Sequence, residues 1–490
     1  MPNTAAAPAP IQSAYPRRRW LRTLALVALA YILIFGGIFL WWRQLGPRQL
    51  DQLIASCRAA GQPVLVDDFQ PPSIPNDQNG YIAIRMALRT LSRPGPSRSA
   101  AASSPAFSST DELIAPLRPL LNKTALDLIR TARSAPRVVN TRRLASPVAM
   151  MTRPATDLRA AAQLAADAAI EAHSEGRDAE TVEYLLDELA VARIAAQSSS
   201  MTLEHMTAMS LISSTCRTIQ DLTPTLEFAT APESQPAAGS PAQRAQVEAL
   251  IRALLDESWL IESGRRALFM ERLCLIDAYQ SRLPTSTMVA FSSGVGAFSS
   301  AAFWQPIASF DIAYGMRMLN EMAAALAAPT WPDARGRIPR YAHRDRFAPG
   351  LVHLLSALLL PALDSTIESM FRVRMQMRLT ALGLAVRQYE IDHGARPPEL
   401  SALVPDYLLE LPRDLMQANA GPPLYHPNAA PALLYSVGIN GVDDDGRTTT
   451  GSTGPRDPDD ILLYLNGDRP RSPRPRSARP DSASFDDEIP

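Results

Sequence analysis

Five aspartates near the C-terminus form the densest group of oxygen ligands in this 490-residue chain. The stretch "LLYSVGINGVDDDG" (433–446) sets Asp443, Asp444 and Asp445 between Gly441 and Gly446, and "DPDDI" (457–461) adds Asp459 and Asp460. Calcium takes six to eight oxygens, mostly carboxylate and carbonyl. A glycine-bracketed loop could offer that set, with these five aspartates supplying the charged share. Without a cation, carboxylates so crowded repel one another. Two chemistries therefore stay open: a calcium loop, or a solvated acidic turn near the end of the chain.

No other residue type is arranged for a reaction. The six histidines (His173, His205, His343, His353, His393 and His426) form no HExxH, HxH or comparable metal spacing. "SSGVG" (292–296) is not a GxSxG elbow, "GVGAF" lacks the strand–turn–helix setting of a dinucleotide site, and no Walker A sequence is present. His353 lies in an apolar run and reads as a core side chain; His173 sits at a helix end, where a cation suits the dipole. Helical acid pairs such as Asp187 with Glu188 read as solvated faces. Cys57, Cys216 and Cys274 have no zinc-ligand spacing, and the last two read as small buried hydrophobes. A Cys216–Cys274 disulfide stays open at this stage. No catalytic residue is named on these grounds, and no enzyme is expected.

Formal net charge is −1, from 48 basic and 49 acidic residues, so no basic field points to nucleic acid. Lys123 is the single lysine.

The elements that must position the aspartates begin at the other end of the chain. In "RRRWLRTLALVALAYILIFGGIFLWWR", residues Thr23–Trp42 carry no charge and are long enough to cross a bilayer as a helix. Trp20 marks one interface, Trp41 and Trp42 the other. Arg17, Arg18, Arg19 and Arg22 precede the span, whereas only Arg43 and Arg48 follow closely. The positive-inside rule places residues 1–22 in the cytoplasm and the bulk of the chain outside it. An uncleaved signal anchor in a bacterial inner membrane is the expectation, because "ALA" (28–30) leaves too short an apolar region for a cleaved peptide.

Residues 49–91 read as a small lead-in: a helix, a stop at Gly61, a strand at Val64–Val66 and another helix from "NGYIAIR". A linker follows at 93–110. Residues 111–345 read as a helical domain with loops at 230–245 and 284–306. Within it, 157–197 predicts two helices around Gly176, with Val182, Leu185, Leu186, Leu189 and Ala196 on one face. The next helix carries Met206, Met209, Ile212, Cys216 and Ile219 at helical spacing, as core or as one wall of a groove with 284–306.

The C-terminal quarter carries a resemblance. A long helix is followed by "YEIDHGARPPELSALVPDYLLELPRD" (389–414), "PLYHP" (423–427), "LLYSVGINGVDDDG" and "DPDDI". In this order the motifs resemble the G-type major pseudopilins of type II secretion and related type IV pilin-like proteins, over residues 350–466. The resemblance implies a small antiparallel sheet after the helix and a last loop that binds calcium. The chain departs from that pattern in three places. Its helix is internal, with Leu355 where the fifth-residue glutamate would stand; the family's "DPWG" reads "DLMQ" (414–417); and the loop "RTTTGSTGPRDP" (447–458) is long. Independently, Leu379, Leu382, Ala385, Val386 and Tyr389 share a helical face, and Gly394 with Pro397 and Pro398 ends the helix. Residues 467–490 read as a disordered tail.

The expected fold is therefore mainly α: one transmembrane helix, a helical-hairpin body and a small C-terminal α+β pseudopilin-like domain. The expected function is a membrane-anchored structural or interaction protein of the bacterial envelope with an envelope protein as partner. An adaptor of a type II secretion-like system and an envelope enzyme with a dispersed site are the alternatives.

Overall fold

The computed structural model describes residues 17–91, 118–142, 158–229, 240–280, 301–338, 354–448 and 459–466. Residues 1–16 of the stub, the linker 93–110, positions 230–239 and 284–300 of the two expected loops, His343, His353 and the tail 467–490 lie outside the described residues.

Among the described residues the fold is mainly helical, with one small sheet. In order come α1 (Arg17–Ala59), α2 (Gly80–Leu91), α3 (Arg118–Ser134), α4 (Arg159–Ser174), α5 (Asp178–Ser198), α6 (Thr202–Leu222), α7 (Arg244–Leu255), α8 (Ser258–Gln280), α9 (Ala301–Ala325), α10 (Trp331–Arg337) and α11 (Leu354–His393), then β1 (Leu424–His426), β2 (Leu433–Ser436) and β3 (Ile461–Tyr464). The chain divides into two compact units. One comprises residues 1–64, 275–316 and 343–358; the other comprises 65–274, 317–342 and 359–490.

In the first unit, α1 is long and apolar enough to cross a membrane. It does not stop at the end of the apolar stretch. The helix expected from residue 49 is continuous with it, and Pro47 lies inside. Proline removes one intrahelical hydrogen bond and is tolerated where the flanking turns carry on.

The strand expected at Val64–Val66 does not form. A 3-10 turn occupies Val66–Phe69, because the Asp68 carboxylate accepts the Leu65 amide at 2.8 Å and gives the backbone a local partner. Residues 301–306, read as loop, begin α9.

The helical hairpin α4–α5 forms as expected, turning at Gly176. Val182, Leu185, Leu189 and Ala196 are buried, while Leu186 is half-buried. On α6, Met209, Ile212, Cys216 and Ile219 are core, whereas Met206 is 40% exposed and stands outside that stripe. Cys57, Cys216 and Cys274 are all buried thiols outside any disulfide; Cys274 contacts the Met201 sulfur at 3.9 Å.

The second unit contains both the helical body and the C-terminal segment. From Met370 to Gln388, α11 is buried along most of its circumference. Its neighbours are the chain's own helices. Ser213 of α6 donates to Gln376 (2.8 Å), Gln220 donates to Thr380 (2.8 Å), and Arg387 donates to the Leu226 carbonyl. Glu257, just before α8, pairs with Arg374 at 2.6 Å and with Arg378. The helix ends at Gly394 (φ +71°), whose amide returns to the Glu390 carbonyl. A 3-10 turn follows at Leu400–Leu403.

The sheet is antiparallel in the order β1–β2–β3, with Leu424 opposite Tyr435 and Leu434 opposite Leu463. It lies close to α11 at Gly383, where an added Cβ would stand 3.1 Å from the Leu463 side chain.

Candidate functional site

The acidic loop hangs from the end of β2 and returns into β3, so the sheet sets its ends. Each of four aspartates is engaged through one oxygen. Asp443 Oδ1 accepts the Tyr435 hydroxyl and the Asp445 amide, both at 3.0 Å. Asp444 Oδ2 accepts from Asn440 Nδ2 (2.9 Å) and from the Asp459 amide (3.1 Å). Asp459 Oδ2 accepts the Ile439 amide at 3.0 Å and Arg372 Nη2 at 2.6 Å. Asp460 Oδ2 accepts the amides of Asp444 (3.2 Å) and Gly446 (2.9 Å). The backbone of Asp445 is left-handed (φ +55°), which suits an aspartate in a turn.

The aspartates are thus brought together in space, but as the braces of a turn. Among the described residues, no three acidic, imidazole or thiol groups converge as a metal ion would require. The loop is also closely wound. Gly438 holds φ +67° with an added Cβ only 2.0 Å from the Asp459 carbonyl, so no other residue fits there. Burial, then the neighbouring Asp444 and Asp443 charges, push the Asp460 carboxyl up to about 6. Its Oδ1 is buried with no hydrogen-bond partner. Burial and the Asp443 carboxylate likewise raise the Tyr435 hydroxyl.

A sixth aspartate organises this region and was not singled out by sequence. Asp414 is fully buried. It accepts from the Met416 amide (2.8 Å), the Ser436 hydroxyl (2.7 Å), the Val437 amide (3.3 Å) and Gln417 (3.2 Å). The "DLMQ" turn is therefore tight, since Asp414 also donates its own amide to the Gly421 carbonyl. Asp414→Ala leaves several buried donors without an acceptor and is expected to cost about 3 kcal/mol. Asp414→Asn, which keeps one acceptor oxygen, should lose clearly less; urea unfolding of the two variants measures the difference.

Two polar clusters lie in the helical body. The first corrects the reading of Asp187 and Glu188 as a solvated face: both are buried. Arg130 and Arg133 reach in from α3 to Asp187, at 2.8 and 3.1 Å, and these pairs make the burial of a carboxylate tolerable. Desolvation still raises its titration above the ordinary range. Glu188 meets the hydroxyls of Thr215 and Thr218, the latter at 3.4 Å, and burial, helped by the Asp167 charge, pushes it up to about 7. On the next helix His205 is buried with both ring nitrogens unpartnered, and burial pushes its imidazole down to about 4.

The second cluster has the outline of a triad. His173 Nδ1 lies 2.6 Å from Asp178 Oδ1, and its Nε2 lies 2.9 Å from the Thr225 hydroxyl. Asp178 Oδ2 is fixed by the Glu227 amide at 2.8 Å. Acyl transfer also needs a free hydroxyl and oxyanion donors. Here the Thr225 hydroxyl donates to the Leu222 carbonyl, and the Leu226 and Glu227 amides are already bonded. The cavity bordered by the adjoining Thr223 and Pro224 holds about 10 Å³, the scale of a single water. The arrangement joins the ends of α4, α5 and α6, and His173 is tied by side chains as well as by its place in the last turn.

A wider, open cavity of about 530 Å³ is lined by Arg317, Glu321, Arg335 and Arg337, all exposed and none of them singled out by sequence. Comparison with sequence-family profiles, with curated proteins and with solved structures gives no match.

Proposed function

We propose that the chain is a non-enzymatic, single-pass structural or interaction protein of the bacterial envelope, with a cytoplasmic N-terminus and its body on the far side of the inner membrane. One observation carries this reading. From Trp20 to Trp41 the large apolar side chains of α1 point outward around the helix, with Leu26, Ile32 and Leu33 more than 60% exposed, and no described residue covers them. A helix that is apolar all round needs hydrocarbon as its solvent. Arginines concentrated before the span support the orientation.

Alkaline phosphatase fused after Gly61 is expected to be active, and green fluorescent protein at the same junction dark. The reverse pair would refute the orientation. Release of the intact chain by alkaline carbonate would refute the anchor.

The pseudopilin-like segment serves, on this reading, as a packing module. What supports this is the burial of α11 by α6 and by the Glu257 clamp: a helix covered by its own chain has little face to offer to a neighbouring subunit of a filament. An adaptor role beside a secretion system needs no such face and remains the second reading.

A further inference from the structure

We propose that Arg372 is the built-in counter-ion of the acidic loop, so that the loop closes without a bound cation. The guanidinium comes from α11, whose position is set by the helical body, and not from the loop itself. Its Nη2 stands 2.6 Å from Asp459 Oδ2, and its Nε stands 3.4 Å from Glu368 one helical turn earlier. The Arg372–Asp459 pair is only partly open to water, at 31% and 14% side-chain exposure, so screening is weaker than on an open surface. A calcium ion drawn to the same carboxylate would sit beside a fixed positive charge.

The remaining acid is held by donors of the loop. Amides of Ile439, Asp444, Asp445, Gly446 and Asp459, with the Tyr435 hydroxyl and the Asn440 amide group, occupy one oxygen each of Asp443, Asp444, Asp459 and Asp460. N–H groups directed at carboxylates offset the mutual repulsion that would otherwise call for a metal. The guanidinium neutralises Asp459, while the oriented dipoles act on all four side chains. Both come from the chain itself, so closure of the loop should not respond to calcium.

The test is thermal unfolding of the full-length chain in detergent micelles, in millimolar calcium chloride and in EDTA. The two midpoints are expected to coincide. Arg372→Met should lower the midpoint by roughly 3–6 °C in either buffer. Arg372→Lys, which keeps the charge, should retain most of it. Asp459→Asn should lose about as much as Arg372→Met, and the double variant no more than either single one. Calcium raising the midpoint of the parent protein would overturn the proposal, as would an unmoved Arg372→Met midpoint or additive losses in the double variant. If Arg372→Met does not fold, Arg372→Lys with Asp459→Asn and the parent's calcium–EDTA pair decide the matter.

Discussion

Replacing Glu257 by alanine is expected to cost about 3–5 kcal/mol of stability, the largest effect of any single substitution considered for this chain. The carboxylate is 7% exposed and receives Arg374 Nε at 2.6 Å, Arg378 Nε, and Arg378 Nη2 at 3.1 Å. Arg374 is itself 6% exposed and stacks over Phe371 at 4.9 Å, so its charge has nowhere to go when the acid is removed. Its Nη1 is already without a partner, which leaves no second acceptor to take over. Arg378 reaches water more easily and keeps its bond to the Arg413 carbonyl, so Arg378→Ala should cost clearly less than Glu257→Ala. Chemical denaturation of the three proteins measures this order. Equal, small losses would mean that α11 is not held in the body by this clamp.

The second large effect is a pair of opposite pH slopes. His205 has a folded-state pKa near 4 against an ordinary value near 6.5. Its depressed pKa contributes stability above about pH 6.5 that is lost as pH falls toward 4, worth about 3 kcal/mol in all. Glu188 runs the other way. It stays protonated in the fold to about pH 7 while the unfolded chain ionises near 4.5. Its contribution is complete below about pH 4.5 and lost as pH rises to 7, again about 3 kcal/mol. In the parent protein the two largely cancel across this window. Glu188→Gln should therefore expose the loss toward acid and gain stability at pH 8, whereas His205→Leu should gain stability at pH 5 and expose the loss toward alkaline pH that Glu188 imposes. Unfolding midpoints at pH 5 and pH 8 separate them. Parallel pH profiles for parent and variants would contradict the burial assigned to these groups.

Periodicity made much of the fold legible, and tertiary partners account for the rest. The apolar run before Trp42, the α4–α5 hairpin around Gly176 and the helix stop at Gly394 are local signals, and each stands where the sequence placed it. The strand expected at Val64–Val66 failed because β propensity needs a neighbouring strand, whereas Asp68 offers a bond three residues away. Asp187 and Glu188 looked solvated because their partners, Arg130 and Arg133 on one side and Thr218 on the other, lie far off in sequence. The five aspartates of the acidic loop were visible as a cluster, but Arg372 was not. One clue was available: Arg372, Arg374, Arg378 and Arg387 interrupt an otherwise apolar helix, and cations in such a setting imply buried acceptors elsewhere. Asp414 had no such clue, since its role depends on Ser436 and Val437 arriving from β2.

Central to the account is α11, a long helix enclosed by the body of its own chain. Amide hydrogen exchange across residues 370–388 of the full-length protein in micelles tests this most directly. Protection at the level of global unfolding, matched by Leu211–Ile219 of α6, is the expected result. Exchange on the time scale of an exposed helix, while α6 stays protected, would show that α11 is free of the body and would contradict the account.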